Sequence, residues 1–230
     1  MRFPQPVQEA ELVQRHKRFL ADVRLDDGTE LTAHCPDPGR MTGLAVPGHR
    51  VLLSDSGNPK RKLRWTLELI HVGTSWVGVN TARANELVEE GLRAGKVVGL
   101  TGWTELRREV PVGDSRLDFF LDGPEPCFVE VKNVTLARGE LALFPDAVTA
   151  RGLRHLEELI ALVASGRRAV LLLIVNRSDC SRFAPAADVD PDYAAGLRRA
   201  VDAGVELLVQ ATRPRRDGIT LGEPLPWDLG

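Results

Sequence analysis

The sequence predicts an α/β protein in two parts, a small closed β-barrel followed by an α/β sandwich. Three observations carry that reading. About five short strands crowd into the first eighty residues, separated by tight turns. From Asn80 onward, strand-like and helix-like segments alternate. Two late runs, Arg168 to Val175 and Val205 to Ala211, are almost wholly apolar, as strands covered on both faces are.

Leu12-Val13 opens the barrel region. Phe19 to Leu25 alternates, and Asp26-Asp27-Gly28 turns it into Glu30 to His34. Gly48 to Leu53 is the next strand. Trp65 to Val72 and Ser75 to Val79 pair around Gly73. This spacing suits an oligonucleotide-binding (OB) barrel over residues 1–80, with residues 81–230 forming the second domain. There, Thr81 is expected to cap a helix from Ala82 to about Ala94. Strands follow at Glu105 to Val112 and in two mid-chain runs. A long helix is expected over about Asp146 to Ala164, and another from Asp190-Pro191 to about Ala203. Pro214 to Gly230 reads as a surface appendage.

The 230 residues are 43% hydrophobic and 27% charged, with a formal net charge of −2. No global basic field advertises nucleic-acid binding, so any such surface must be local. Cys35, Cys127 and Cys180 are scattered and form no C-x-x-C pair. That excludes a zinc ribbon and suits a reducing cytoplasm. No transmembrane run occurs, and Met1 to Pro6 lacks the apolar stretch of a signal peptide, so the expected location is cytoplasmic and off the membrane.

The chemistry lies in the mid-chain runs, Arg116 to Leu121 and Cys127 to Lys132, separated by the turn Asp122-Gly123-Pro124-Glu125-Pro126. Folded as a hairpin about Pro124, Leu117 faces Val131, Phe119 faces Val129 and Leu121 faces Cys127, an apolar face. The other face sets Asp118 opposite Glu130, with Lys132 in diagonal reach. Two juxtaposed carboxylates repel unless a cation or proton lies between them. A divalent metal with a neighbouring lysine suits phosphodiester cleavage. The bland alternative is a solvated strand with a Glu–Lys pair. The acid, the E-x-K tripeptide and the following helix resemble the PD-(D/E)xK nuclease core. Arg116, opposite Lys132, opposes this register unless phosphate or carboxylate neutralises it.

On this reading Asp118, Glu130 and Lys132 are catalytic. Asp118, Glu130, the Val131 carbonyl and Glu90 hold Mg²⁺ or Mn²⁺. Glu86 and Glu89 share the helix of Glu90, whose bland reading is a solvated surface. Arg151 and His155 share a helix face and are placed to hold the scissile phosphate. In the barrel, Arg40 lies in the loop His34 to Met41. Lys60-Arg61-Lys62 with Arg64-Trp65 is a basic cluster beside an aromatic, and Lys17-Arg18-Phe19 is a weaker pattern of that kind. Arg18, Arg40, Lys60, Arg61 and Lys62 are thus candidate nucleic-acid contacts.

Six segments in order, Gln14 to Val23, His34 to Gly43, Lys60 to Lys62, Asn80-Thr81, Phe128 to Leu136 and Phe144 to Thr149, resemble the sugar fermentation stimulation protein A (SfsA) family. The similarity runs from near the N-terminus to about residue 210. It implies an OB-like domain joined to a PD-(D/E)xK-like domain, DNA binding, and a link to sugar-catabolic genes. The family loop often reads C-P-N-T-G. Here Asp37 stands in place of the amide, which sets residue 37 against close phosphate contact. The expected function is a DNA-binding, Mg²⁺-dependent nuclease. The rival is a non-catalytic DNA-binding regulator on a nuclease scaffold. RNA is a further partner, since OB barrels take either polymer.

Overall fold

A computed structural model describes residues 1–113 and 115–230. The first six strands are β1 (Val7–His16), β2 (Leu20–Arg24), β3 (Glu30–His34), β4 (Arg50–Asp55), β5 (Trp65–Val72) and β6 (Ser75–Gly78). They pair in the order β3-β2-β1-β4-β5-β6, and a further β3–β5 pairing at His34↔Thr66 closes the barrel. Alternation fills its interior: Ala10, Leu12, Ala21, Val23, Ala33, Val51, Leu53 and Leu67 are all buried. β1 starts five residues before Leu12, because Val7 to Glu11 pairs with β4. The β1–β2 connection takes Lys17 (φ 48°) and Arg18 (φ 62°) into the left-handed region, which bulky residues rarely occupy.

The second part contains α1 (Thr81–Arg93), β7 (Glu105–Val112), β8 (Ser115–Asp122), β9 (Cys127–Val134), β10 (Leu136–Arg138), β11 (Leu141–Phe144), α2 (Ala150–Ala164), β12 (Arg168–Val175), β13 (Arg182–Pro185), α3 (Pro191–Asp202), β14 (Glu206–Arg215) and β15 (Gly218–Pro224). Its main sheet runs β15-β14-β12-β9-β8-β7, with β9, β12 and β14 parallel at the centre. α1 covers one face through Leu87, Val88 and Leu92, packed with Phe119, Val129 and Leu172. α2 and α3 cover the other through Leu156, Leu159 and Leu197, packed with Phe128, Leu171 and Leu173. This is an α/β sandwich behind an OB-like barrel. No described helix is long and apolar enough to cross a membrane.

Several expectations change. The N-cap of α1 is Asn80, not Thr81, since the Asn80 side chain accepts from the Ala82 N–H at 3.2 Å. α2 begins at Ala150 under a Thr149 cap, not at Asp146, whose carboxylate is used elsewhere. Pro214 to Gly230 is no appendage. β15 pairs with β14, Ile219 is 1% exposed, and Arg2 bridges to Gly218. The short sheet β10-β11-β13 was not anticipated, because its strands are only three or four residues long.

The hairpin register is the expected one where the strands pair, Phe119↔Val129 and Leu121↔Cys127. It then departs from simple alternation. The β8–β9 ladder stops at Phe119, and in β7 the residue facing Asp118, Glu109, is left-handed (φ 52°) and drops out of the pairing. Leu117 therefore turns away from the Phe119 face into the core under α2. The face carrying Glu130 is not solvated: Phe120 and Phe128 lie there, covered by α2.

One buried ion pair joins the two parts. Glu68 of β5, fully buried, accepts from Arg83 Nη2 (2.9 Å), Ser54 Oγ (2.6 Å) and Asn80 Nδ2 (2.9 Å). Removing one partner leaves a buried charge short of compensation. Arg83→Met is expected to lower the unfolding free energy by about 3 kcal/mol, and Glu68→Gln by less. Urea denaturation checks the order; equal, small losses would show that the pair is dispensable.

Candidate active site at the domain junction

The site forms where β8 and β9 part. Asp118 fills the gap: its Oδ2 accepts the Val131 N–H at 2.7 Å and its Oδ1 accepts from Asn85 Nδ2 of α1 at 2.6 Å. One residue before Val131, Glu130 is 3% exposed. Its Oε1 accepts from both Lys132 Nζ and His155 Nδ1. Arg151 Nε donates to His155 Nε2 at 3.4 Å, which assigns the other ring nitrogen as the N–H facing Glu130. Burial alone would raise the Glu130 carboxyl, but the His155 hydrogen bond and the Lys132 charge outweigh it and hold the group below the usual range. Asp118 goes the other way. Burial and the Glu130 carboxylate push it up to about 6, against the pull of the Val131 N–H, Asn85 and Lys132.

These residues line a cavity of about 530 Å³ whose opposite wall is the barrel loop. Arg15 donates to the carbonyls of Asp37 (2.8 Å) and Gly39 (2.9 Å). Thr81 Oγ1 donates to the Pro36 carbonyl, and Asp146 Oδ2 accepts the Met41 N–H at 2.9 Å. A Cβ at Gly39 would lie 2.5 Å from the Asp146 carboxylate, so only glycine permits this approach. Asp37 is 4% exposed and bonds the Gly39 N–H at 2.7 Å. Burial and the Asp146 carboxylate push it up to about 6.

The cavity gathers Asp118, Glu130, Val131, Lys132, Arg151, His155 and Arg18. It leaves out the rest. Glu90 is not at the site: its carboxylate accepts from the Met1 ammonium at 3.0 Å and lines a separate cavity. Five residues along a helix is a rotation of roughly 140°, so the residue of α1 that reaches Asp118 is Asn85. Glu86 pairs with Arg83, and Glu89 with Arg93 and Arg108. Arg40 and Lys60-Arg61-Lys62 are exposed and do not line the cavity. Arg64 stacks 5.1 Å from the Trp65 ring and binds Asp55, so that aromatic face is covered. His155 is 3% exposed and committed to Glu130 and Arg151, which makes it a positioning group more than a phosphate contact. Asn85, Asp37 and Asp146 were missed as site residues. The only sequence signal was Asp37 in place of an amide.

The donor set fits a hard divalent cation. Glu130 Oε2 is buried with no partner among the described residues, and the Asp118 carboxyl sits beside it at raised pKa. Two carboxylates with Val131 are oxygen ligands, suited to an ion that retains water. Among the described residues no three His, Cys, Asp or Glu side chains group as a metal site.

Folded Asp118 keeps a proton between pH 3.8 and about 6 that the unfolded chain has released. The metal-free fold therefore loses stability as the pH rises through that window, and the deficit persists above it. Asp118→Asn removes the charge and can keep both hydrogen bonds if the Asn85 amide turns over. In chelator at pH 7.5 it is expected to be the more stable protein by about 3 kcal/mol, with the gap closing below pH 4. Denaturant titration at both pH values checks this; a less stable variant at pH 7.5 contradicts it.

Comparison with known proteins agrees with this architecture. The SfsA N-terminal OB domain matches residues 13–79, and the sugar fermentation stimulation protein RE domain matches residues 82–218. A sugar fermentation stimulation protein homolog of Paramagnetospirillum magneticum is 52% identical over 100% of this chain and 98% of its own length. That of Rhodospirillum centenum is 53% identical, covering 98% of each. The structure of Pyrococcus furiosus SfsA in complex with Ca²⁺ superposes with a TM-score of 0.92 at 28% identity, covering 99% of both chains. The chain belongs to the sugar fermentation stimulation protein (SfsA) family.

Proposed function

We propose that this protein is a DNA-binding nuclease that hydrolyses phosphodiester bonds with Mg²⁺ or Mn²⁺. The observation that carries it is the buried pair Asp118 and Glu130, with Lys132 and His155 fixed on one carboxylate oxygen and the other oxygen left unpartnered. The Ca²⁺ bound by the Pyrococcus furiosus relative supports a divalent ion in this fold. Asp118, Glu130 and the Val131 carbonyl would hold it. A bound divalent ion supplies positive charge to a phosphoryl oxygen and acidifies an attacking water.

The protein's own groups do the rest. His155 and Lys132 keep Glu130 ionised and fixed in place. Lys132 Nζ, 14% exposed and reaching the cavity, orients the attacking water and offsets charge developing on the phosphate. Arg151 at the start of α2 and Arg18 from the barrel present guanidiniums to the strand from opposite walls. One observation favours the rival, a DNA-binding regulator on a nuclease scaffold: Glu130 is already paired with Lys132 and hydrogen-bonded by His155 without any metal.

Two measurements separate the readings. Glu130→Gln is expected to abolish Mn²⁺ binding in calorimetric titration while the protein stays folded; unchanged affinity would remove the hairpin from consideration as the metal site. Lys132→Ala should slow cleavage on the order of 100-fold or more, with DNA affinity changing far less at a fixed salt concentration. Wild-type protein that binds single-stranded, duplex and branched DNA yet leaves all uncut with either ion would favour the regulator.

A further inference from the structure

A second cavity, of about 490 Å³, adjoins the first and shares Arg151 and His155 with it. Arg116 of β8 and Arg154 of α2 complete a convergence of three guanidiniums there, and none of its described lining residues is acidic. Arg116 does not oppose Lys132 across the hairpin, because the β8–β9 ladder ends at Phe119. It instead joins the basic residues of α2. Arg151 stands in the first turn of α2, which holds no acidic residue, and Arg154 lies in the turn that follows. Their charges therefore add to the positive end of the helix dipole. Ser115 also lines this pocket. Three guanidiniums converging on one pocket beside a helix N-terminus are the chemistry of a phosphate site.

We propose that this pocket binds a second phosphate of the same nucleic-acid strand, next to the one presented to Lys132. The inference rests on the nuclease reading for the placement of the first phosphate. The continuous lining through His155 and Arg151 gives the strand its path: it leaves the carboxylate cavity past Arg151 and enters the pocket between Arg154 and Arg116. The phosphate held there is either an internal phosphodiester or a strand-terminal phosphate, and both present the same oxygens to the three arginines.

The test uses the full chain with Arg116→Ala, Arg154→Ala and the double variant, all at exposed positions outside the proposed catalytic set. Binding of fluorescent single-stranded oligonucleotides is measured by anisotropy in Ca²⁺ at several salt concentrations. Thermal melting and Mn²⁺ titration report that the fold and the carboxylate site persist. Each lost phosphate contact should lower the salt slope by about 0.7, so the double variant should bind more weakly and with a visibly shallower slope. In cleavage, KM should rise with kcat nearly unchanged. Three oligonucleotides distinguish the source. A loss confined to 5′-phosphorylated strands identifies a terminal phosphate, and an equal loss on 5′-hydroxyl and circular strands identifies an internal one. Wild-type affinity and slope in the double variant would overturn the pocket, whether or not the protein cleaves. A reduced slope in a protein that never cleaves would keep the pocket and overturn the nuclease instead. Failure of the wild type to bind any strand would overturn both.

Discussion

An ionised carboxylate survives out of water only when a positive charge and hydrogen-bond donors surround it, and Glu130 is the buried charge around which this cleft is arranged. Lys132 and His155 both donate to one of its oxygens, and Arg151 holds His155 in the tautomer that can do so. Asp118 has no such escort. Burial and the neighbouring Glu130 carboxylate raise it to about 6, and its hydrogen bonds to Val131 and Asn85 only partly offset that. The chain thus holds one carboxylate firmly charged and a second strained beside it. A cation binding between them relieves that strain, so the local instability and the proposed chemistry have one origin.

The barrel completes the cleft from outside. Its loop Pro36 to Met41 is fastened to the α/β domain by Thr81 and Asp146, with Gly39 allowing the close approach, and Glu68 with Arg83 locks β5 to α1. The barrel therefore serves as a wall of the site, not as a separate binding arm on a flexible linker. A strand entering the cavity meets Arg18 from one domain and Arg151 from the other. Under the proposed function, this placement brings the nucleic acid to the same cleft as the carboxylates.

Much of this was legible in the sequence because periodicity encodes it. Alternation marked the barrel strands, unbroken apolar runs marked β12 and β14, and the turn at Asp122 to Pro126 fixed the register of Phe119 on Val129. What periodicity could not carry was local irregularity. The break opposite Glu109 flips Leu117 and lets Asp118 bond the Val131 N–H, and no pattern of residue types announces such a break. Helix phase decided between Glu90 and Asn85, and the acid drew attention although the amide holds the geometry. Asp37 and Asp146 belong to loops brought together only by domain docking, about a hundred residues apart in sequence, so neither implied the other.

Under the proposed function, Asp118 and Glu130 form one divalent-ion site. Anomalous scattering from crystals soaked in Mn²⁺ tests it most directly. The expected result is a peak bonded to Asp118, Glu130 and the Val131 carbonyl, at oxygen distances near 2.1 Å. No peak there, or a peak only between Asp37 and Asp146 across the cavity, would contradict it.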